Sequence, residues 1–171
     1  MTMSPAVRRA ALTAHVTTSV GWFGAVIGVL ALAIAGISSE DEQTVRAVYL
    51  AMRLTAWTVL VPLAALALIT GVVQSLGSKW GLLRHYWVVT KLIITAIATL
   101  VLLLYTQTLD LAADSAAKAN WSALDRATLR SPSVVLHSSV AAVLLVVTTV
   151  LGIYKPKGLT RRGRRAQTSL S

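Results

Sequence analysis

Long runs of apolar residues alternate with short charged segments along this chain. Three runs contain no acidic or basic residue, and they cover residues 10–39, 54–78 and 131–154. Each is longer than the about 20 residues with which an α-helix crosses a bilayer. A fourth run, over residues 85–109, is interrupted by Lys91 and reaches that length only if the lysine lies within the helix.

This pattern predicts an all-α integral membrane protein whose single domain, residues 1–155, is a four-helix bundle. The predicted spans are 11–36, 49–73, 86–106 and 133–154. A short extracytoplasmic helix is expected between the third and fourth spans, where Asp114 and Lys118 have a helix-supporting spacing. Residues 156–171 are basic and polar, and we expect them to form a disordered cytoplasmic tail.

The composition agrees with a membrane protein and excludes several enzyme classes. Apolar residues make up 56% of the chain and charged residues 13%. The absence of cysteine removes disulfides, thiolate nucleophiles and cysteine-ligated metals. No motif of a hydrolase, zinc protease or nucleotide-binding loop is present. We therefore favour a non-catalytic bundle that has a structural role or binds a partner or ligand.

The charged residues predict the orientation. Of the 16 Lys and Arg residues, eleven lie on the side that carries both termini, Lys79 among them, whereas all six Asp and Glu lie on the other. Because basic flanks stay in the cytoplasm during insertion, we expect a multi-pass membrane protein with both termini cytoplasmic. The net charge of +10 then reflects topology and attraction to anionic lipid, and it does not indicate nucleic-acid binding. A cleaved signal peptide is disfavoured because the first apolar run is about twice the length of a signal h-region.

Small residues and one proline predict how the helices pack. Gly21, Gly24 and Gly28 make a smooth face on the first helix, with the last two in GxxxG spacing. We expect this face to pack within the bundle, and dimerisation is the alternative. Pro62 should kink the second span, with the Thr58 hydroxyl bonding the carbonyl that loses its donor.

Four ionisable residues fall within the predicted spans and are the best functional candidates: His15, Arg53, Lys91 and His137. A helix rises about 1.5 Å per residue, so His15 and Lys91 share one depth near the cytoplasmic side. Arg53 and His137 share another depth near the outer side. The two histidines are therefore too far apart to ligate one metal, and the outer pair should reach the interface and the acidic turn at 40–42.

Two stripes at helical spacing suggest a ligand site. His15, Ser19 and Trp22 share a face of the first helix, where hydroxyls could orient the imidazole, and Arg84, Trp87 and Lys91 share a face of the third. These six residues are predicted to line a cytoplasm-facing cavity for an anionic or planar ligand, such as a lipid headgroup, a quinone or haem. The alternative is that Lys91 snorkels to the inner headgroups.

Some of these residues also carry a resemblance to known proteins. With His15, Trp22-Phe23-Gly24, Thr70-Gly71, Arg84-His85-Tyr86-Trp87 and Lys91-Leu92, the chain resembles small four-helix membrane proteins of actinobacteria whose function is unknown. That likeness implies a four-helix membrane fold and a location in the bacterial plasma membrane, but it implies no activity.

A more distant likeness, in the histidine and Trp-x-Gly of the first helix and the lysine of the third, is to copper-resistance-D-like proteins and membrane-embedded protoporphyrinogen oxidases. These families bind haem or copper, and the likeness implies a ligand role for His15 and a supporting role for Lys91. The alternative function is a redox protein that handles haem or a quinone through His15. We predict no obligatory cofactor, with haem b at His15 as the alternative, and a homo-oligomer is compatible with the sequence.

Overall fold

The computed structural model describes residues 3–78 and 81–168, in which helices are joined by short loops and turns. Lys79, used above to assign the orientation, lies outside the described residues. The helices are α1 (Pro5–Ser38), α2 (Glu42–Thr55), a π-helical segment (Ala56–Leu60), α3 (Val61–Leu76), α4 (Tyr86–Ala117), α5 (Ala123–Leu129), α6 (Ser133–Tyr154) and α7 (Arg161–Thr168).

Four helices are long and apolar enough to cross a membrane, as an integral membrane protein requires: Pro5–Ser38, Glu42–Leu76, Tyr86–Ala117 and Ala123–Tyr154. The second runs continuously through α2, the π segment and α3. The start of α4 at Tyr86 and both ends of α6 agree with the sequence prediction. The other helix ends lie two to eleven residues beyond the predicted spans.

The two ends of the bundle carry different charges. The end where α1 and α4 begin and α3 and α6 finish, which we call the basic end, carries most of the arginines and lysines. At the opposite end, which we call the acidic end, lie all six carboxylates. There Arg53 pairs with Asp114 at 2.7 Å, and Arg126 pairs with Glu42 at 2.7 Å. Arg53 was expected to reach the acidic turn at 40–42, but the longer α4 places Asp114 beside it instead.

The buried core lies between α1, α2, α4 and α6 and continues through the π segment into α3. Met52 is fully buried, and the Tyr49 hydroxyl donates a hydrogen bond of 2.8 Å to the Leu129 carbonyl. This bond joins α2 to the short helix α5. Lys118 pairs with Asp125 at 2.6 Å rather than with Asp114. The helix-supporting pair predicted from spacing is therefore replaced by a contact that closes the loop between α4 and α5.

The second span contains a π-helical turn directly before its proline. Pro62 lies at the start of α3, directly after the wider π turn. In an α-helix the backbone carbonyl of Thr58 would accept a hydrogen bond from the nitrogen of residue 62, which proline cannot donate. The Thr58 hydroxyl does not bond this carbonyl and donates instead to the Leu54 carbonyl at 2.7 Å. The sequence predicts a kink at the proline, and the structure has a π segment directly before it.

The glycines of α1 pack differently from the prediction. A Cβ built on Gly21 would lie 3.3 Å from Leu63, so this glycine does allow close contact with α3. At Gly24 and Gly28, nothing among the described residues lies within 4 Å of such an atom. Packing within the bundle therefore does not hold for the GxxxG pair, because its face of α1 is turned away from the other helices.

The tail also differs from the prediction over the part that the structure describes. In place of a disordered 156–171 segment, the chain folds back on the loop before α4. The Thr160 amide donates to the Arg84 carbonyl at 3.0 Å, and the Tyr86 amide donates to the Gly158 carbonyl at 3.3 Å. Helix α7 follows these backbone bonds, and residues 169–171 of the tail lie outside the described part.

Candidate functional site

A cavity of about 300 Å³ opens at the basic end between α1, α3, α4 and α6. His15, Trp87 and Lys91, three of the six predicted ligand residues, line it. Its walls are mostly apolar, and Leu12, which is about half exposed on the outer surface of α1, forms part of its rim. The cavity therefore adjoins the surface that faces lipid in a membrane.

The His15 imidazole is held by two consecutive residues of α3. Its Nδ1 lies 3.2 Å from the Thr70 hydroxyl oxygen, and its ring lies so close to Gly71 that a Cβ there would be 3.1 Å from Cε1. The Thr70 hydroxyl donates its only hydrogen to the Leu66 carbonyl at 2.6 Å. It therefore accepts from Nδ1, which leaves Nε2 as the hydrogen-bond acceptor or metal-ligating atom of the neutral ring.

Lys91 occupies a niche that exists only because residue 152 on α6 is glycine. A Cβ built on Gly152 would lie 2.7 Å from the lysine Nζ, closer than the two atoms could remain. The ammonium therefore lies against the backbone of α6, inside the bundle. Lys155 lines the same cavity one turn further along the chain. Two cations thus face a cavity in which no carboxylate is found among the described lining residues.

A further polar group in the cavity is unsatisfied. The Gln74 side-chain oxygen is buried, and no described residue donates a hydrogen bond to it. Such an atom costs about 1–3 kcal/mol unless a donor reaches it. With His15 Nε2 it gives the cavity two acceptors beside its two cations, so a complementary ligand combines negative charge with hydroxyl donors.

The other three predicted ligand residues lie elsewhere. Trp22 is buried in a second cavity nearer the acidic end. Ser19 and Arg84 are not among the described residues that line the first cavity, and Arg84 is exposed with its side chain against Gly81. The hydroxyl that orients the imidazole belongs to Thr70 on α3, and not to a neighbour on α1.

The two histidines of the spans lie in separate cavities, His15 in the first and His137 in the second. This arrangement agrees with the expectation that they do not share a ligand.

Sequence reasoning missed the residues that shape the site. Gly71, Gln74 and Gly152 are unremarkable in an apolar run, and only the packing of α3 and α6 against α1 and α4 brings them to the cavity. Thr70 and Gly71 are among the residues that carry the resemblance, which gives them no role in a site.

Comparison of the chain with models of protein families, with curated proteins and with solved structures found no match.

Proposed function

We propose that this chain is a multi-pass plasma-membrane protein that binds the head of an anionic phospholipid in the cavity of His15 and Lys91. Both termini are cytoplasmic in this proposal, which the eleven Lys and Arg residues on the side that carries both termini support. The cavity then opens at the level of the inner headgroups. The role is one of binding, without catalysis.

The observation that carries the proposal is the position of Lys91. A charged side chain within a membrane-spanning helix is costly unless a partner compensates it. Here the ammonium lies in the Gly152 niche with Lys155 nearby and no carboxylate among the described residues of the cavity. A phosphate supplies the missing charge and accepts hydrogen bonds from the ammonium.

The two acceptors narrow the choice of headgroup. Gln74 and the Nε2 of His15 call for hydroxyl donors, which phosphatidylglycerol carries on its terminal glycerol. Phosphatidylcholine offers neither a net negative charge nor a hydroxyl. The acyl chains of the bound lipid would lie outside the cavity, beside Leu12 on the apolar surface of α1.

Native mass spectrometry of the detergent-solubilised protein tests the proposal, with phosphatidylglycerol and phosphatidylcholine offered in equal amounts. We expect one phosphatidylglycerol to be retained per chain by the wild type and lost in Lys91→Met. The matched control is Lys157→Met, which removes the same charge from an exposed position at the same end and should retain the lipid. Equal retention of both lipids, or retention unchanged in Lys91→Met, would overturn the proposal.

A second candidate function is a haem-handling role, favoured by the hydrogen bond that leaves His15 Nε2 available as a ligand. His15 would hold the iron, and Lys91 and Lys155 would pair with the propionates. A bound haem would supply one-electron redox chemistry. Purified protein supplemented with haem should then show a Soret band that His15→Ala abolishes and His137→Ala spares. A spectrum without that band rejects this candidate.

A further inference from the structure

The second cavity, of about 390 Å³, lies among α1, the π segment, α4 and α6 toward the acidic end. Its walls are apolar, with the buried Trp22 on α1 and Ala56 and Leu60 at the two ends of the π segment. The wider turn of a π segment often occurs at a functional site. No Lys, Arg, Asp or Glu is among the described residues that line this cavity, so the cavity suits an uncharged molecule.

The cavity opens sideways between α4 and α6. Ile97 and Val101 on α4, and Leu136 and Val140 on α6, line it while keeping about half of their surface exposed. In a membrane these four side chains face the acyl chains. A molecule dissolved in the bilayer can therefore enter without passing through water.

One polar pair interrupts the apolar wall. The Tyr105 and His137 rings stack with their centroids 4.1 Å apart, and the Tyr105 hydroxyl donates to the Ser133 hydroxyl at 3.0 Å. The Nδ1 of His137 lies 2.8 Å from the Ser133 backbone carbonyl. Because a carbonyl can only accept, Nδ1 carries the hydrogen, and Nε2 is the acceptor of the neutral ring. The stacking and this bond hold the ring in one orientation.

We propose that this cavity binds an uncharged apolar molecule bearing a hydroxyl group, taken from the bilayer, with the hydroxyl donating to His137 Nε2. The apolar body fills the space between Trp22 and the π segment. An apolar cavity with a few placed polar groups is the usual form of a small-molecule site, in which the polar group provides specificity. This site is independent of the phospholipid cavity, with which it shares no described lining residue.

The test compares 1-naphthol with naphthalene, two probes of nearly equal size of which only the first carries a hydroxyl. Equilibrium dialysis measures the binding of each probe to the detergent-solubilised protein, with protein-free micelles subtracted. The variant His137→Phe keeps a ring stacked on Tyr105 and removes the acceptor. The control is His85→Phe, whose histidine is not among the described lining residues.

We expect the preference for 1-naphthol over naphthalene to fall by about two- to tenfold in His137→Phe, which is the effect of one neutral hydrogen bond. The preference should be unchanged in His85→Phe, and naphthalene should bind the wild type and both variants alike. A preference that survives in His137→Phe would overturn the role of the imidazole.

A second variant tests the cavity itself and does not depend on the histidine. Ala98 on α4 lines the cavity, and Ala98→Phe should fill part of it and weaken both probes together. Circular dichroism and size exclusion establish that the variant is folded. Unchanged binding of both probes to folded Ala98→Phe would overturn the proposal.

Discussion

Replacing Gly152 by alanine should weaken phospholipid binding without removing any charge. The new Cβ would lie 2.7 Å from Lys91 Nζ, whereas ordinary contact begins at 3.4 Å. Because Nζ is the mobile end of a long side chain, the ammonium should move by about 1 Å and the fold should remain intact.

The displacement sets the size of the effect. Two unit charges at an effective dielectric constant of about 20 attract by about 4.1 kcal/mol at 4 Å and by about 3.3 kcal/mol at 5 Å. The difference of about 0.8 kcal/mol corresponds to an about fourfold weaker affinity. Lys91→Met removes a charge-assisted hydrogen bond, of about 1.5–3 kcal/mol, and should weaken binding by more than tenfold.

The assay is quenching of tryptophan fluorescence by phosphatidylglycerol with brominated acyl chains, measured against the corresponding phosphatidylcholine. Gly28→Ala is the matched control, because it places the same methyl group on a helical glycine with open space around it. We expect the order Gly28→Ala equal to wild type, then Gly152→Ala, then Lys91→Met. If Gly152→Ala binds like the wild type while Lys91→Met does not, the niche does not position the ammonium and the reasoning is refuted.

Three further predictions concern stability and are read from unfolding in detergent. Gly71→Ala forces the adjoining imidazole to move and should lower stability by about 1–3 kcal/mol, the usual cost of overpacking; an unchanged midpoint would contradict this. Tyr49→Phe leaves the buried Leu129 carbonyl without its donor and should also cost about 1–3 kcal/mol, whereas a neutral result would mean that water replaces the hydroxyl. Hydrogen bonds from Thr44 lower the pKa of Asp41 in the folded protein. The ionised carboxylate therefore stabilises the fold fully above about pH 4, and this stabilisation is lost as the pH falls through the pKa that Asp41 has in the folded protein. Asp41→Ala should remove this part of the acid sensitivity, measured by circular dichroism.

The four spans could be predicted from the sequence because a membrane-crossing helix has a length and composition that few other structures share. Helix α6 has the predicted ends, and Lys91 lies within α4 as expected. The continuation of α4 to Ala117 could not be predicted in this way. It depends on Asp110 and Asp114 finding Trp57 and Arg53 on the second span, which is a tertiary contact.

The candidate site could be predicted only in part, for a related reason. Helical spacing shows which residues share a face, and Trp87 and Lys91, which share one by this spacing, both line the cavity. It does not show which face turns inward. The same limit explains why Gly24 and Gly28 face outward and why Gly152, whose missing side chain makes room for the lysine, carried no signal.

The central claim is that a phospholipid phosphate lies beside Lys91, and a nitrogen–phosphorus distance tests it most directly. The protein, labelled with ¹⁵N at the lysine Nζ atoms, is reconstituted in a phosphorus-free glycolipid bilayer with one phosphatidylglycerol per chain. Solid-state NMR then measures dephasing of the lysine nitrogen signals by ³¹P. We predict strong dephasing of one lysine, at a separation of about 4 Å typical of a charge-assisted contact, and its absence in Lys91→Met. No dephasing in the wild type, or equal dephasing in Lys91→Met, would contradict the account.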